Sequence, residues 1–296
     1  MYKRSSAGLS LCEPTTLYNL ITRCDRKPSV LDSNYLLILD VRNRKDYEHS
    51  HITLAKHIEE VKEADTGNSK YRTPFGADVS TVLHCVVYDG KTVSLIEDNS
   101  AIRLATELAE NGSKNPVLVL KGGYERFSAE YPFLRTQKIL YTPKELEHLP
   151  HYPSEILPHF LYLGDERHAY NPLLSYDIKI KGHINVSSDL YSAWPETVNE
   201  VHVDVQDVPQ ANLLERFEEV CSFIESYRKK SETVLVFGNK GMSRSATLVA
   251  AYLIYYKNMN HKVALDYIRN CRPNVKPLKS FVDQLKEWEK MQSEPK

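Results

Sequence analysis

Apolar residues cluster along this chain in short branched runs and in longer stretches with gaps of three and four. Residues 35–40, 82–88, 117–120 and 234–237 are runs rich in Leu, Ile and Val, and each predicts a buried strand. Residues 101–110 place Ala101, Leu104, Ala105 and Leu108 on one side of a helical wheel and predict an amphipathic helix. Residues 13–23 (EPTTLYNLITR) predict a further helix, with Pro14 at its start and Leu17, Leu20 and Ile21 on one face. Residues 246–256 are apolar on nearly all sides, which predicts a helix sunk in a core. That stretch falls short of the ~20 residues a membrane span requires, and no membrane association is expected.

Length and composition narrow the picture. At 296 residues the chain has room for two domains, each with its own core. Between residues 142 and 158 four prolines (Pro143, Pro150, Pro153, Pro158) interrupt helical pattern, which places the boundary there. The formal net charge is −1, so nothing in the charge balance points to nucleic acid or an anionic membrane. Five scattered cysteines without paired spacing fit a reducing, cytoplasmic setting. A mitochondrial presequence is the competing reading of residues 1–23, where Lys3, Arg4 and Arg23 face a single acid, Glu13. The first-helix reading of the same residues is preferred. His148, His151 and His159 are too irregularly spaced to read as metal ligands, and neither metal nor cofactor is expected.

The chemistry concentrates at residues 234–245, VLVFGNKGMSRS. A strand runs into a turn with two glycines, and Ser243, Arg244 and Ser245 open the buried helix. Such a turn gathers backbone N–H groups at a helix N-terminus, where they and the helix dipole favour an anion. Arg244 adds a planar fork suited to two phosphate oxygens. Asn239, Lys240, Gly241, Met242, Ser243, Arg244 and Ser245 are therefore candidate phosphate-binding residues. The turn resembles the signature loop of the cysteine-dependent protein phosphatases, in which His-Cys precedes Arg by six residues. Here Gly238 stands at the Cys position and Phe237 at the His position. None of the five cysteines has an Arg six residues later.

Flanking segments resemble the dual-specificity phosphatases in the same order: residues 156–168 (ILPHFLYLGDERH), 182–186 (GHINV), 201–212 (VHVDVQDVPQAN) and 271–285 (CRPNVKPLKSFVDQL). The resemblance places a vestigial general acid at Asp207, ahead of Asn212. A turn or cap residue before Pro209 is the plainer reading of that aspartate. The first half is similar to the rhodanese pattern, with Leu39-Asp40-Val41-Arg42, then His51-Ile52, and Gly122-Gly123-Tyr124 after a strand. There the sulfur-carrying Cys is replaced at Asp89, whose carboxylate carries no persulfide and would repel an anion. Cys85 reads as a packing residue.

This arrangement resembles the mitogen-activated protein kinase phosphatases, and most closely their pseudophosphatase members. It implies an α/β fold: a rhodanese-like domain over 13–141, a Pro-containing linker over 142–155, and a dual-specificity phosphatase-like domain over 156–292. Each would be a mostly parallel sheet flanked by helices. The implied function is that of a catalytically inactive regulatory protein, not an enzyme, which holds a phosphoprotein or modulates an active phosphatase. The alternative is a residual phosphatase or sulfurtransferase with a non-standard nucleophile. The group's kinase-docking cluster of arginines is diluted here by Glu59, Glu60, Glu63 and Asp65, which argues against kinase docking.

Overall fold

The computed structural model describes residues 8–23, 29–58, 60–62, 69–71, 79–140, 142–186 and 199–293. The chain divides into two compact units between Leu149 and Pro150. In the first, the chain order is β1 (Leu9–Cys12), α1 (Pro14–Ile21), β2 (Leu36–Asp40), α2 (Arg44–His49), β3 (His51–Ile52), β4 (Ala55–His57), β5 (Glu60–Lys62) and β6 (Ser69–Tyr71). There follow β7 (His84–Tyr88), α3 (Ser100–Glu110), β8 (Val117–Leu120), α4 (Gly123–Glu130), β9 (Arg135–Thr136) and α5 (Pro143–Glu147). The sheet runs β1-β8-β7-β2-β4, with every pairing parallel. Its inner strands are covered on both faces, which explains why they read as unbroken apolar runs instead of alternating ones.

Residues 9–21, weighed above as part of a presequence, form β1 and α1 of this unit. Of the stretch read for kinase docking, only β5 and β6 fall within the described residues. The proline-interrupted segment also holds a short helix, α5. Pro143 sits at its start, and Thr142 and Glu145 cap each other reciprocally, two features that suit Pro to a helix end.

Two features of the rhodanese-like pattern have structural roles. Asp40 is fully buried at the end of β2, and its carboxylate takes Arg42 Nη2 at 2.6 Å. The same guanidinium lies over the Tyr124 ring at 3.7 Å, so the Asp-Val-Arg run ties β2 to α4. Gly122 and Gly123 have φ of +82° and +55°, and a Cβ on Gly123 would lie 2.5 Å from the Asp89 carbonyl oxygen. A side chain at residue 123 is excluded twice, by backbone angle and by contact.

The second unit contains β10 (Ser154–Leu157), β11 (Leu161–Asp165), α6 (Glu166–Ala169), α7 (Pro172–Ile178), β12 (Ile180–Asn185), β13 (Asn199–His202) and α8 (Leu214–Lys230). It closes with β14 (Thr233–Gly238), α9 (Arg244–Lys257), α10 (His261–Cys271) and α11 (Lys279–Ser293). The sheet order is β10-β11-β14-β12-β13, antiparallel only at β10. Central β14 is buried along its whole length. Helix α9 packs beneath it among Val220, Ile224, Phe281 and Leu285, and Trp288 Nε1 donates to its Ala251 carbonyl at 3.1 Å. A strand and a helix both fixed in one core hold the turn between them in a set geometry.

Gly123→Ala is expected to lower the urea midpoint of the first unit by a cost of at least about 1–2 kcal/mol, the cost of a left-handed L-residue before any contact is counted. An unchanged midpoint would contradict the backbone placement.

Candidate functional site

The turn from β14 to α9 encloses a cavity of about 270 Å³. Its lining brings together all seven loop residues named from the sequence, Asn239 to Ser245, with Gly238 and Asp207. Val186, Lys276 and Leu278 complete it, and sequence reasoning gave none of these three a role.

The loop is held from behind. Gly241 has φ of +62°, and a Cβ there would overlap the Gly164 carbonyl at the end of β11. Arg272, only 4% exposed, donates from Nε to the Gly241 carbonyl at 3.0 Å and from Nη2 to the Lys240 carbonyl at 3.3 Å. Its charge is answered by Asp165, 3.8 Å away, whose carboxylate also takes Arg167 at 2.6 Å. Burial acts to raise the Asp165 carboxyl, but hydrogen bonds and charge from His168 and Arg167 outweigh it and hold the group far below the usual range. The Met242 carbonyl accepts from the Lys276 N–H at 2.9 Å. With the loop carbonyls engaged behind, the main-chain N–H groups of Asn239, Lys240, Gly241, Ser243, Arg244 and Ser245 find no acceptor among the described residues. Of these residues Gly241, Ser243 and Ser245 are buried, and donors so placed require water or a bound acceptor.

Arg244 Nη1 donates to the Val205 carbonyl at 2.7 Å and Nη2 to Asn239 Oδ1 at 2.9 Å. Both acceptors are neutral, so they orient the guanidinium without cancelling its charge. Among the described residues Arg244 has no ion pair. Asp207 is exposed and caps no turn of its own; its Oδ1 accepts from Ser243 Oγ at 2.7 Å. The wall therefore carries three cationic side chains (Lys240, Arg244, Lys276) against one carboxylate.

Gly238 ends β14 with no side chain facing the cavity. A Cβ built on it would lie 2.9 Å from the Val186 carbonyl oxygen and 3.8 Å from Ser245 Oγ. A thiol there would force the end of β12 to move. Phe237 points into the core instead, edge-on to His183 at 5.6 Å. Burial pushes His183 down to about 4. Its imidazole is thus neutral near pH 7.

No other described cysteine can replace the missing thiol. Cys85 is 3% exposed inside β7, and burial pushes its thiol up to about 12. Burial does the same to Cys12 and Cys271, both up to about 12, and raises Cys221 as well. A raised thiol is a poor nucleophile at neutral pH, so sulfur transfer through Cys85 is disfavoured.

Asp89, at the equivalent corner of the first unit, accepts the Lys91 and Thr92 N–H groups at 3.0 and 2.9 Å and the Thr92 hydroxyl at 2.6 Å. The carboxylate takes up the loop's own donors. His51 is buried, stacked on Tyr47 at 4.1 Å, and shapes the turn before β4.

Comparison with known proteins agrees with this geometry. The dual specificity phosphatase catalytic domain matches residues 161–291 and the rhodanese-like domain residues 17–130. A probable rhodanese domain-containing dual specificity protein phosphatase of Dictyostelium discoideum is 31% identical over 60% of this chain and 40% of its own length. Human dual specificity protein phosphatase 4 is 32% identical over 69% of this chain and 57% of its own. The chain thus spans about half the length of these relatives. The crystal structure of human tyrosine phosphatase-like serine/threonine/tyrosine-interacting protein aligns with a TM-score of 0.46 at 28% identity, over 47% of this chain and 97% of that one.

These matches correct one expectation. The sequence was read as not an enzyme, yet the matching catalytic domain and the relatives bear the names of phosphatases, an enzyme class.

The buried His183 gives a test of the core beside the loop. Because its native pKa lies below the unfolded value of about 6.5, the unfolded chain binds the proton more readily. Its contribution to stability is whole above about pH 6.5 and is lost as pH falls toward about 4. The loss between pH 7 and 5 is on the order of 2 kcal/mol. His84 in the first unit, also lowered by burial, acts with the same sign. Urea titrations of His183→Leu should show a flatter pH dependence of the second unit; an unaltered slope would refute the burial argument. What the two units amount to is a rhodanese-like domain followed by a dual-specificity phosphatase domain, with glycine at residue 238 where β14 ends.

Proposed function

We propose that the loop of residues 239–245 holds the phosphoryl group of a protein partner, and that the chain regulates that partner, or an active phosphatase, by binding. The observation that carries this reading is the set of open N–H donors around an Arg244 that has no ion pair among the described residues. Glycine at residue 238 removes the thiolate and with it a negative charge that would repel a phosphate dianion. Each charge-assisted hydrogen bond to such a dianion contributes about 1.5–3 kcal/mol. The relatives matched here are named as phosphatases, and the Cys–Arg chemistry of that class has no nucleophile at residue 238. Any phosphate release by this chain would therefore run without a phosphocysteine at that position.

Tungstate or phosphate should raise the melting temperature of the purified chain by mass action, and Arg244→Ala should abolish the rise. An equal rise in the variant would place the anion elsewhere. Asp207→Asn removes the one carboxylate from the wall and is expected to tighten oxyanion binding several-fold by calorimetry. Weaker binding would instead give Asp207 a direct part in holding the ligand. Acid quench with labelled aryl phosphate should trap no phosphocysteine, and one that maps to Cys85 or Cys271 would overturn the reading.

A further inference from the structure

The end of β14 away from the loop opens on a second cavity, of about 420 Å³, between the β10–β11 turn and the last turns of α8 and α9. Its floor is aromatic. Phe160 meets Tyr252 edge-on at 6.2 Å, and Tyr252 stacks on Tyr256 at 5.4 Å with the rings 6° from parallel. Two cations flank the outermost ring. The Arg228 guanidinium lies 4.8 Å from the Tyr256 centroid and Lys257 Nζ lies 5.1 Å from it. They differ in what they can offer. Glu225 takes Arg228 at 2.6 and 2.8 Å, which neutralises it and fixes its plane against the ring. Lys257 is exposed and has no ion pair among the described residues. Lys229 and Lys230 sit on the same final turn as Arg228 and are exposed.

Lysines near helix C-termini answer the helix dipole, and that accounts for the charges alone. It does not account for Phe160 and Tyr256, both half-buried, lining an open cleft between two helix ends. An aromatic surface flanked by the exposed, unneutralised Lys257 suits a ligand with an apolar body and a negative charge beside it. Helix α9, 14 residues long, separates this cleft from the phosphate loop by about 20 Å, so the two are distinct sites.

We propose that this cleft docks an acidic peptide segment of a protein partner. An aromatic or aliphatic side chain of the segment lies on Tyr256, and a neighbouring carboxylate faces Lys257. The site is independent of phosphate at the loop.

The test uses the full chain and a labelled pentapeptide with one tyrosine between two pairs of aspartates, read by fluorescence anisotropy. Saturable binding is expected, weakened by salt as exposed ion pairs require. Lys257→Glu should raise Kd at least about tenfold while Lys257→Arg retains binding. The tungstate-induced rise in melting temperature should be the same in Lys257→Glu as in the parent, which separates this cleft from the loop. Absence of saturable binding at low salt would overturn the proposal. So would equal affinity in Lys257→Glu, or displacement of the peptide by tungstate that disappears in Arg244→Ala.

Discussion

Everything at the phosphate loop depends on what lies behind it, a buried guanidinium pressed against backbone carbonyls. Arg272 bonds the carbonyls of Lys240 and Gly241, and Gly241 fits against the Gly164 carbonyl only because it carries no side chain. In a peptide unit the N–H points opposite to the C=O, so drawing the carbonyls back turns donors toward the cavity. The polarity of the pocket is therefore set from its rear wall. Loss of the Cys removes a group at the front and leaves this device untouched. Removing one partner of a buried charged network costs about 3–5 kcal/mol, so the rear wall is also where the fold is least tolerant of change.

Much of this was legible in the sequence because the relevant residues are local. The strand, the two glycines and Asn239 to Ser245 follow one another, and a strand-to-helix turn places them around one point. The buried strands were legible because both faces are covered, which leaves runs of Leu, Ile and Val. What escaped depends on distant approach. Lys276 and Val186 reach the cavity, and Arg272 the back of its loop, from other elements, and nothing in their immediate neighbours marks them. Asp207 was found by likeness to a pattern, but its bond to Ser243 spans 36 residues and has no local signal. The helix Pro143–Glu147 is hidden in the sequence by the cluster of four prolines around it, although Pro143 starts it just as Pro14 starts α1.

The glycine at residue 238 is more than an absent thiol. The Val186 carbonyl has settled close to where a Cβ would project, and Phe237 has packed against His183. Residue 237 thus makes an apolar core contact on one side, and residue 238 lies in close backbone approach on the other. Restoring His and Cys would thus have to undo packing as well as add chemistry.

Asp89 has a consequence for the whole of its own loop. By taking the donors of Lys91 and Thr92 internally, it lets residues 89–92 reach their final form without anything from outside. Cys85 nearby is sealed in the sheet, with its thiol raised to about 12. The corner of the first domain at residues 89–92 is then self-sufficient, and its shape should be indifferent to oxyanions.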